Sequence, residues 1–201
     1  MQDLLHNISQ CTICKAHLPL GPRPVATAHV NSKIIIIGQA PGTKVHASGI
    51  PWDDQSGKKL RQWLNVTDTQ FYNTENFAII PMGFCYPGKG KTGDLPPRPE
   101  CAPQWHEQLL DKMPNVELII LIGAYAQKYY LKDKAKRTLT ETVGEYKSYL
   151  SEYFPIPHPS PTNRFWCAKN PWFEELVVPE LQEKILMILD SSNNHSYSNG
   201  E

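Results

Sequence analysis

Lys33-Ile34-Ile35-Ile36-Ile37-Gly38-Gln39-Ala40-Pro41-Gly42 decides the fold of this chain. Four consecutive β-branched apolar residues ending at a glycine are too short for a buried helix. They suit a strand covered on both faces, because alternate side chains point to opposite sides of a sheet and here all are apolar. The turn that follows is sharp and exposes backbone amides, and Gln39 adds both a donor and an acceptor. Further runs of the same kind follow at Phe77–Met82, Glu117–Ile122 and Tyr153–Ile156. Helical patterns separate them at Ser56–Val66 (with Ser56 as the expected N-cap), Glu100–Lys112 and Gly123–Leu131, and a last one spans Asn170–Leu189. Gly83–Pro99, rich in glycine and proline, reads as loop. Strands alternating with helices predict an α/β protein, a three-layer α/β/α sandwich around a central, mainly parallel, four-stranded sheet. Ligands of such sheets bind beyond the carboxyl ends of the strands, so the loops at Gly38–Gly42, Met82–Gly88 and His158–Pro161 should meet at one site.

Length and composition set limits on the rest. The 201 residues fit one domain, expected over 1–190, with an extended lead-in at 1–32 and a disordered polar tail at 191–201. No apolar run approaches the ~20 residues of a membrane span, and the opening MQDLLHNISQCTICK lacks the pattern of a signal peptide. A cytoplasmic, monomeric protein is therefore expected. Twenty basic and twenty acidic residues give a formal net charge of zero, which argues against strong non-specific nucleic-acid binding and leaves only local patches. These are Lys128–Arg137, Lys89 with Lys91, and Arg164 with Lys169.

Four of the five cysteines come in two pairs, Cys11-x2-Cys14 and Cys85-x15-Cys101, seventy residues apart. In a reducing compartment such pairs favour metal ligation over disulfides. By chemistry alone, zinc and an iron–sulfur cluster both accept four thiolates. Cys167 is left as a plain, partly buried thiol.

The cysteine pattern, the Gly38-Gln39-Ala40-Pro41-Gly42 turn, the stretch Gly49-Ile50-Pro51-Trp52-Asp53-Asp54-Gln55-Ser56-Gly57 and the segment His158-Pro159-Ser160-Pro161 together resemble the uracil-DNA glycosylase superfamily, specifically its iron–sulfur (family 4-like) branch. The resemblance runs from Cys11 to about Asn163. It implies a monofunctional base-excision enzyme acting on DNA that contains a damaged base, with a 4Fe–4S cluster on Cys11, Cys14, Cys85 and Cys101 and zinc as the alternative. Trp52 would stack on the extruded base, with Gly38, Ala40, Pro41 and Gly42 forming the rest of the base pocket. Asp54 would balance the sugar's positive charge and orient water, with Asp53 as understudy or as a helix cap. His158 would stabilise the leaving base, and Gln39 would help to hold it. Ser160, Pro161, Asn163, Arg164, Lys89 and Lys91 would contact the DNA backbone.

Two departures stand out. The branch carries glutamate where this chain has Gln39, and asparagine where it has Pro81. They open two other readings, a DNA-binding member of the fold without catalysis and a glycosylase for hypoxanthine or xanthine.

Overall fold

The computed structural model describes residues 1–195. The four strands β1 (Ile34–Ile37), β2 (Phe77–Ile79), β3 (Leu118–Ile122) and β4 (Tyr153–Ile156) form one all-parallel sheet in the order β2-β1-β3-β4. Every residue of β1 is fully buried, as its uninterrupted isoleucine run requires. The alternation of the pleat divides the core in two. Ile34, Ile36, Ile120, Phe154 and Ile156 face one side, and Ile35, Ile37, Ile80, Ile119 and Leu121 face the other.

Helices cover both faces. In chain order they are α1 (Gln2–Ser9), α2 (Thr43–Ser48), α3 (Gln55–Leu64), α4 (Asp68–Tyr72), α5 (Cys101–Leu110), α6 (Gly123–Leu131), α7 (Leu139–Gly144), α8 (Arg164–Lys169) and α9 (Val178–His195). The first layer buries Leu60, Trp63 and Leu64 of α3, Phe71 of α4, Val143 of α7 and Leu181 and Ile185 of α9 against the sheet. The second layer places Leu4 and Ile8 of α1, Leu109 of α5 and Ala126 and Leu131 of α6 on the opposite face. At about 1.5–3 kcal/mol for each fully buried large apolar side chain, these two faces supply the main driving force of the fold.

One sequence reading is corrected. The N-cap of α3 is Asp54, not Ser56: its Oδ1 accepts the Gly57 amide at 2.8 Å. The Gly83–Pro99 segment is loop, as expected, and part of it folds back as a small hairpin, bridged at Lys89 and Asp94 and joined by Gly90 N to Gly93 O (2.7 Å) and Leu95 N to Gly88 O (2.8 Å). The last helix, α9, is entered through a π-helical turn at Phe173–Val177 and runs to His195. The remainder of the expected tail, 196–201, lies outside the described residues.

The lead-in runs along the outer edge of β2. Thr27 and Ile79 exchange backbone hydrogen bonds (3.0 and 2.7 Å), and Val25 N donates to Phe84 O at 2.7 Å. An edge strand that would otherwise present unpaired amides is thereby covered. Among the described residues no helix is long and apolar enough to cross a membrane.

Candidate active site

The strand order reverses direction beside β1, and the crevice beyond the carboxyl ends of β1 and β3 is where a parallel sheet leaves room for a ligand. A cleft of about 460 Å³ opens there. Its walls come from the turn after β1 (Gly38, Gln39, Ala40, Pro41 and Gly42), the segment before α3 (Trp52 and Asp54), Pro81 after β2, the tip of the hairpin (Thr92 to Asp94), and the loop after β4 (His158, Ser160, Asn163). Two further backbone bonds hold the turn after β1 to the segment after β2, Met82 N to Gly38 O (2.8 Å) and Gly83 N to Gln39 O (3.0 Å).

Trp52 is the most constrained residue of the cleft. Its φ of 57° lies in the left-handed region, an outlier for a bulky side chain that persists only where surroundings enforce it. The enforcement is visible on both ends of the residue. Arg61 Nη1 donates to its carbonyl at 3.3 Å, and the same carbonyl lies so close to Gly57 that a Cβ there would sit 1.7 Å away. The indole lies over Gly38, where a Cβ would meet the ring at 2.9 Å, and it tilts against the His158 imidazole with ring centroids 5.5 Å apart. Trp52 is half-buried, with one side against the core and the other lining the cleft.

Asp54 lines the cleft while capping α3, whereas Asp53 is exposed and stands outside the lining. Burial holds the His158 imidazole below the usual histidine range, and the negative charge of Asp54 pulls the other way. The ring is neutral at physiological pH and keeps one N–H to donate. Asn163 Nδ2 donates to the His158 carbonyl at 2.8 Å, so one hydrogen of the amide expected to reach phosphate braces the histidine loop instead. Ser160 caps the short 3₁₀ turn Pro161–Asn163 and also borders a neighbouring groove of about 730 Å³, which Pro161, Arg164, Lys58 and Lys59 share. Lys89 and Lys91 are exposed on the hairpin. Gln39 lines the cleft as well, and its Nε2 donates to the Leu95 carbonyl at 3.2 Å, tying the turn after β1 to the base of the hairpin.

Two groups that sequence reading missed shape the cleft. Asp94 is one. The other is His106 on α5, which is buried and stacked on Phe84 with centroids 5.6 Å apart. His106 Nε2 lies 3.0 Å from the Pro81 carbonyl and Nδ1 lies 2.6 Å from the Tyr130 hydroxyl. A carbonyl only accepts, so Nε2 carries the proton and Nδ1 accepts from Tyr130. Pro81 has no amide to offer, yet its carbonyl is fixed by this relay.

On the other side of the same loop, Cys11, Cys14, Cys85 and Cys101 line one small cavity walled by Leu18, Phe84 and Trp105. All five cysteines are free thiols. Among the described residues no group of three or more His, Cys, Asp and Glu side chains stands ready to hold a metal ion. The donor set nevertheless fits a soft, highly charged group. Burial, reinforced by the neighbouring cysteines, pushes Cys85 up to about 11 and Cys101 up to about 12, an unfavourable setting for thiolates that a cationic centre relieves. Cys14 Sγ donates to Glu100 Oε2 at 3.6 Å, and the Arg98 guanidinium holds Glu100 down at about 2.

Fold and cleft together define a parallel α/β domain whose ring-stacking, acidic and imidazole groups converge at the carboxyl edge of the sheet. Residues 25–182 match the sequence profile described as Uracil DNA glycosylase superfamily, and the chain belongs to that superfamily. It is also similar to a protein of Thermotoga maritima described as Type-4 uracil-DNA glycosylase, with 25% identity over 164 residues, covering 80% of this chain and 81% of that protein.

Proposed function

We propose that this protein is a DNA base-excision glycosylase that hydrolyses the N-glycosidic bond of a deaminated base, uracil or a related one, turned out of the helix into the cleft. The observation that carries this reading is the meeting of Trp52, Asp54 and His158 around one cleft of base-accommodating size. Base extrusion is needed because the scissile bond is out of reach inside a stacked duplex. The indole of Trp52 supplies the stacking surface, held in place by its enforced backbone. The Gly38–Gly42 turn supplies backbone amides to the edge of the base, and the Oε1 of Gln39 remains as an acceptor.

As the bond breaks, positive charge grows on the sugar and negative charge on the base. The Asp54 carboxylate offsets the first and orients a water towards C1′, while the neutral His158 donates to the base oxygen that gathers the second. Ser160, Pro161 and Arg164 on one rim, and Lys89 and Lys91 on the other, flank the entrance for the phosphates on either side. Cys11, Cys14, Cys85 and Cys101 would hold a 4Fe–4S cluster. Four thiols lining one cavity supply the soft anionic ligands such a cluster needs, and zinc is the alternative. Bound there, the cluster supplies a cross-link between the lead-in and the loop that carries Pro81; iron and sulfide analysis of anaerobically purified protein tests it against zinc.

A second reading, a DNA-binding member of the superfamily without catalysis, draws on Pro81, which offers the base no side-chain hydrogen bond, and on the commitment of Gln39 to the hairpin. Single-turnover base release at enzyme excess separates the two. Oligonucleotides carrying uracil, hypoxanthine or xanthine, single- and double-stranded, are compared for wild type and Asp54→Asn. Abasic sites made by the wild type and not by the variant support the glycosylase and name its base. Intact oligonucleotides throughout, from protein with a full cluster, sink it in favour of the binding module.

A further inference from the structure

The cleft is polar at its rim and dry at its floor. Among the described residues of its lining, every side chain able to donate or accept a hydrogen bond is half-buried or exposed, and the buried ones are apolar. Pro41, Pro81, Val25, Val45 and Ile79 form that floor, the last three no more than 4% exposed. Their backbone adds little. Pro41 and Pro81 have no amide to give. Val25 N is committed to Phe84 O, both polar backbone groups of Ile79 are committed to Thr27, and His106 Nε2 engages the Pro81 carbonyl.

An extruded nucleotide enters with its sugar still in the strand, so the base atoms farthest from the glycosidic nitrogen go deepest. For a pyrimidine, the C2 oxygen beside that nitrogen stays at the level of the rim, where His158 lies, and N3 and C4 of the pairing edge meet the floor. Uracil sets an N3–H donor against residues that do not answer it, and an unanswered buried donor is costly. A pairing edge closed by alkyl carbon meets the same floor with apolar surface instead. At about 460 Å³ the cleft has room for the added carbon.

We propose that the cleft takes, besides uracil, pyrimidines alkylated on the pairing edge, N3-methyluracil being the simplest, and releases them faster than uracil; the proposal rests on the glycosylase reading. The chemistry is the same for both. A water oxygen bonds C1′, the electron pair of the C1′–N1 bond leaves with the base, and His158 donates a hydrogen bond to the C2 oxygen of the departing anion. The water proton passes through Asp54 to solvent, and the released anion takes one up from solvent, so water is the only reactant consumed. N3-methyluracil keeps the N1 and the C2 oxygen of uracil, and the two bases differ only at the edge that meets the floor. A site that paired N3–H would reject the methylated base strongly, whereas an apolar floor has no group to leave unpaired by accepting it.

The test is single-turnover base release from single-stranded oligonucleotides that differ only in carrying uracil or N3-methyluracil; a single strand removes any difference in pairing. N3-methyluracil is expected to leave faster by on the order of 10-fold, the advantage of not burying one unpaired donor. Uracil released as fast or faster overturns the proposal and leaves the glycosylase standing, whereas no release of either base overturns both. Pro81→Asn puts an amide on the floor and should turn the preference towards uracil by about 10-fold or more. An unchanged preference in a Pro81→Asn protein with the wild-type circular dichroism overturns the floor as its source. Anisotropy titrations of the same two strands with Asp54→Asn give a readout independent of turnover. Tighter binding of the N3-methyluracil strand supports the proposal; equal or weaker binding overturns it.

Discussion

Asp54 carries two loads, and substitutions can separate them. One of its oxygens closes the first turn of α3 on the Gly57 amide, and the residue also lines the cleft beside His158. Alanine removes cap and charge together, and loss of a cap alone costs about 1 kcal/mol. Asparagine caps a helix as well as aspartate but cannot balance a cation. Asp54→Asn is therefore expected to keep the wild-type urea midpoint and to lose base release by at least about 10²-fold. Asp54→Ala should show the same loss with a lower midpoint. If Asp54→Asn retains full activity, Asp54 has no part in the chemistry. Gly57 gives a sharper structural case. A Cβ there would lie 1.7 Å from the Trp52 carbonyl oxygen and 2.6 Å from its carbon, both backbone atoms with no rotamer to yield. Gly57→Ala must displace Trp52 from its left-handed conformation and break the Arg61 contact with it. A loss of roughly 2 kcal/mol or more is expected in denaturant titrations, together with weaker binding of oligonucleotides carrying the damaged base.

The element that sets the cleft's floor from behind is α5, through His106. Burial pushes this imidazole down to about 4, against 6.5 for the free side chain. The folded protein thus binds the His106 proton only below about pH 4, whereas the unfolded chain binds it from about 6.5 downward. Stability from this group is complete above the unfolded value and declines as the pH falls towards 4, by about 3 kcal/mol in all. Urea midpoints measured through that window should fall steeply for wild type and less steeply for His106→Gln, which can still donate to the Pro81 carbonyl. Equal slopes would show that acid loss originates elsewhere. The same element shows which parts of the molecule could be read in advance. Ile34–Ile37 and His158–Pro161 carry their meaning in adjacent residues, and both sit where the sequence placed them. The cap of α3 was ambiguous because Asp53, Asp54 and Ser56 are all capping residues within four positions, and only the local backbone decides among them. His106 and Gln39 were illegible for a different reason. Their partners, Pro81 and Leu95, lie 25 and 56 residues away, beyond any local pattern. The hairpin that presents Asp94 has no alternating apolar run, so glycine and proline marked it as loop.

At the scale of the whole molecule, charge and cross-linking decide how the protein meets DNA. The balance of twenty basic and twenty acidic residues leaves no general attraction to phosphate, so affinity must come from the few cations at the cleft rim. Lys89, Lys91 and Arg164 are the candidates. Each neutralised phosphate contributes a slope of about −0.7 to −0.9 to the logarithm of affinity against the logarithm of salt. A slope of about −2 to −3 is expected, and one much steeper would mean that the Lys128–Arg137 patch joins the interface. Both Lys89 and Lys91 ride on the loop that also bears Cys85, so the cysteine site and the DNA rim share one segment. The lead-in is also attached through Leu4 and Ile8 of α1 in the second core face and through the backbone pairing of Val25 and Thr27. These anchor its ends, while the stretch from Cys11 to Arg23 is held by its thiols, the buried Leu18 and one hydrogen bond from Arg23 to the Ala47 carbonyl (3.0 Å). Loss of the cross-link should therefore leave the sheet folded and release that stretch. On the cluster reading, limited proteolysis of Cys101→Ser, or of protein treated with an iron chelator, is expected to cut between residues 12 and 23 well before the core, with the far-ultraviolet circular dichroism nearly unchanged. Intact lead-in under those conditions would show that α1 and the Thr27 pairing suffice. The same treated protein should also lose affinity for DNA, because the loop carrying Lys89 and Lys91 would no longer be held at Cys85.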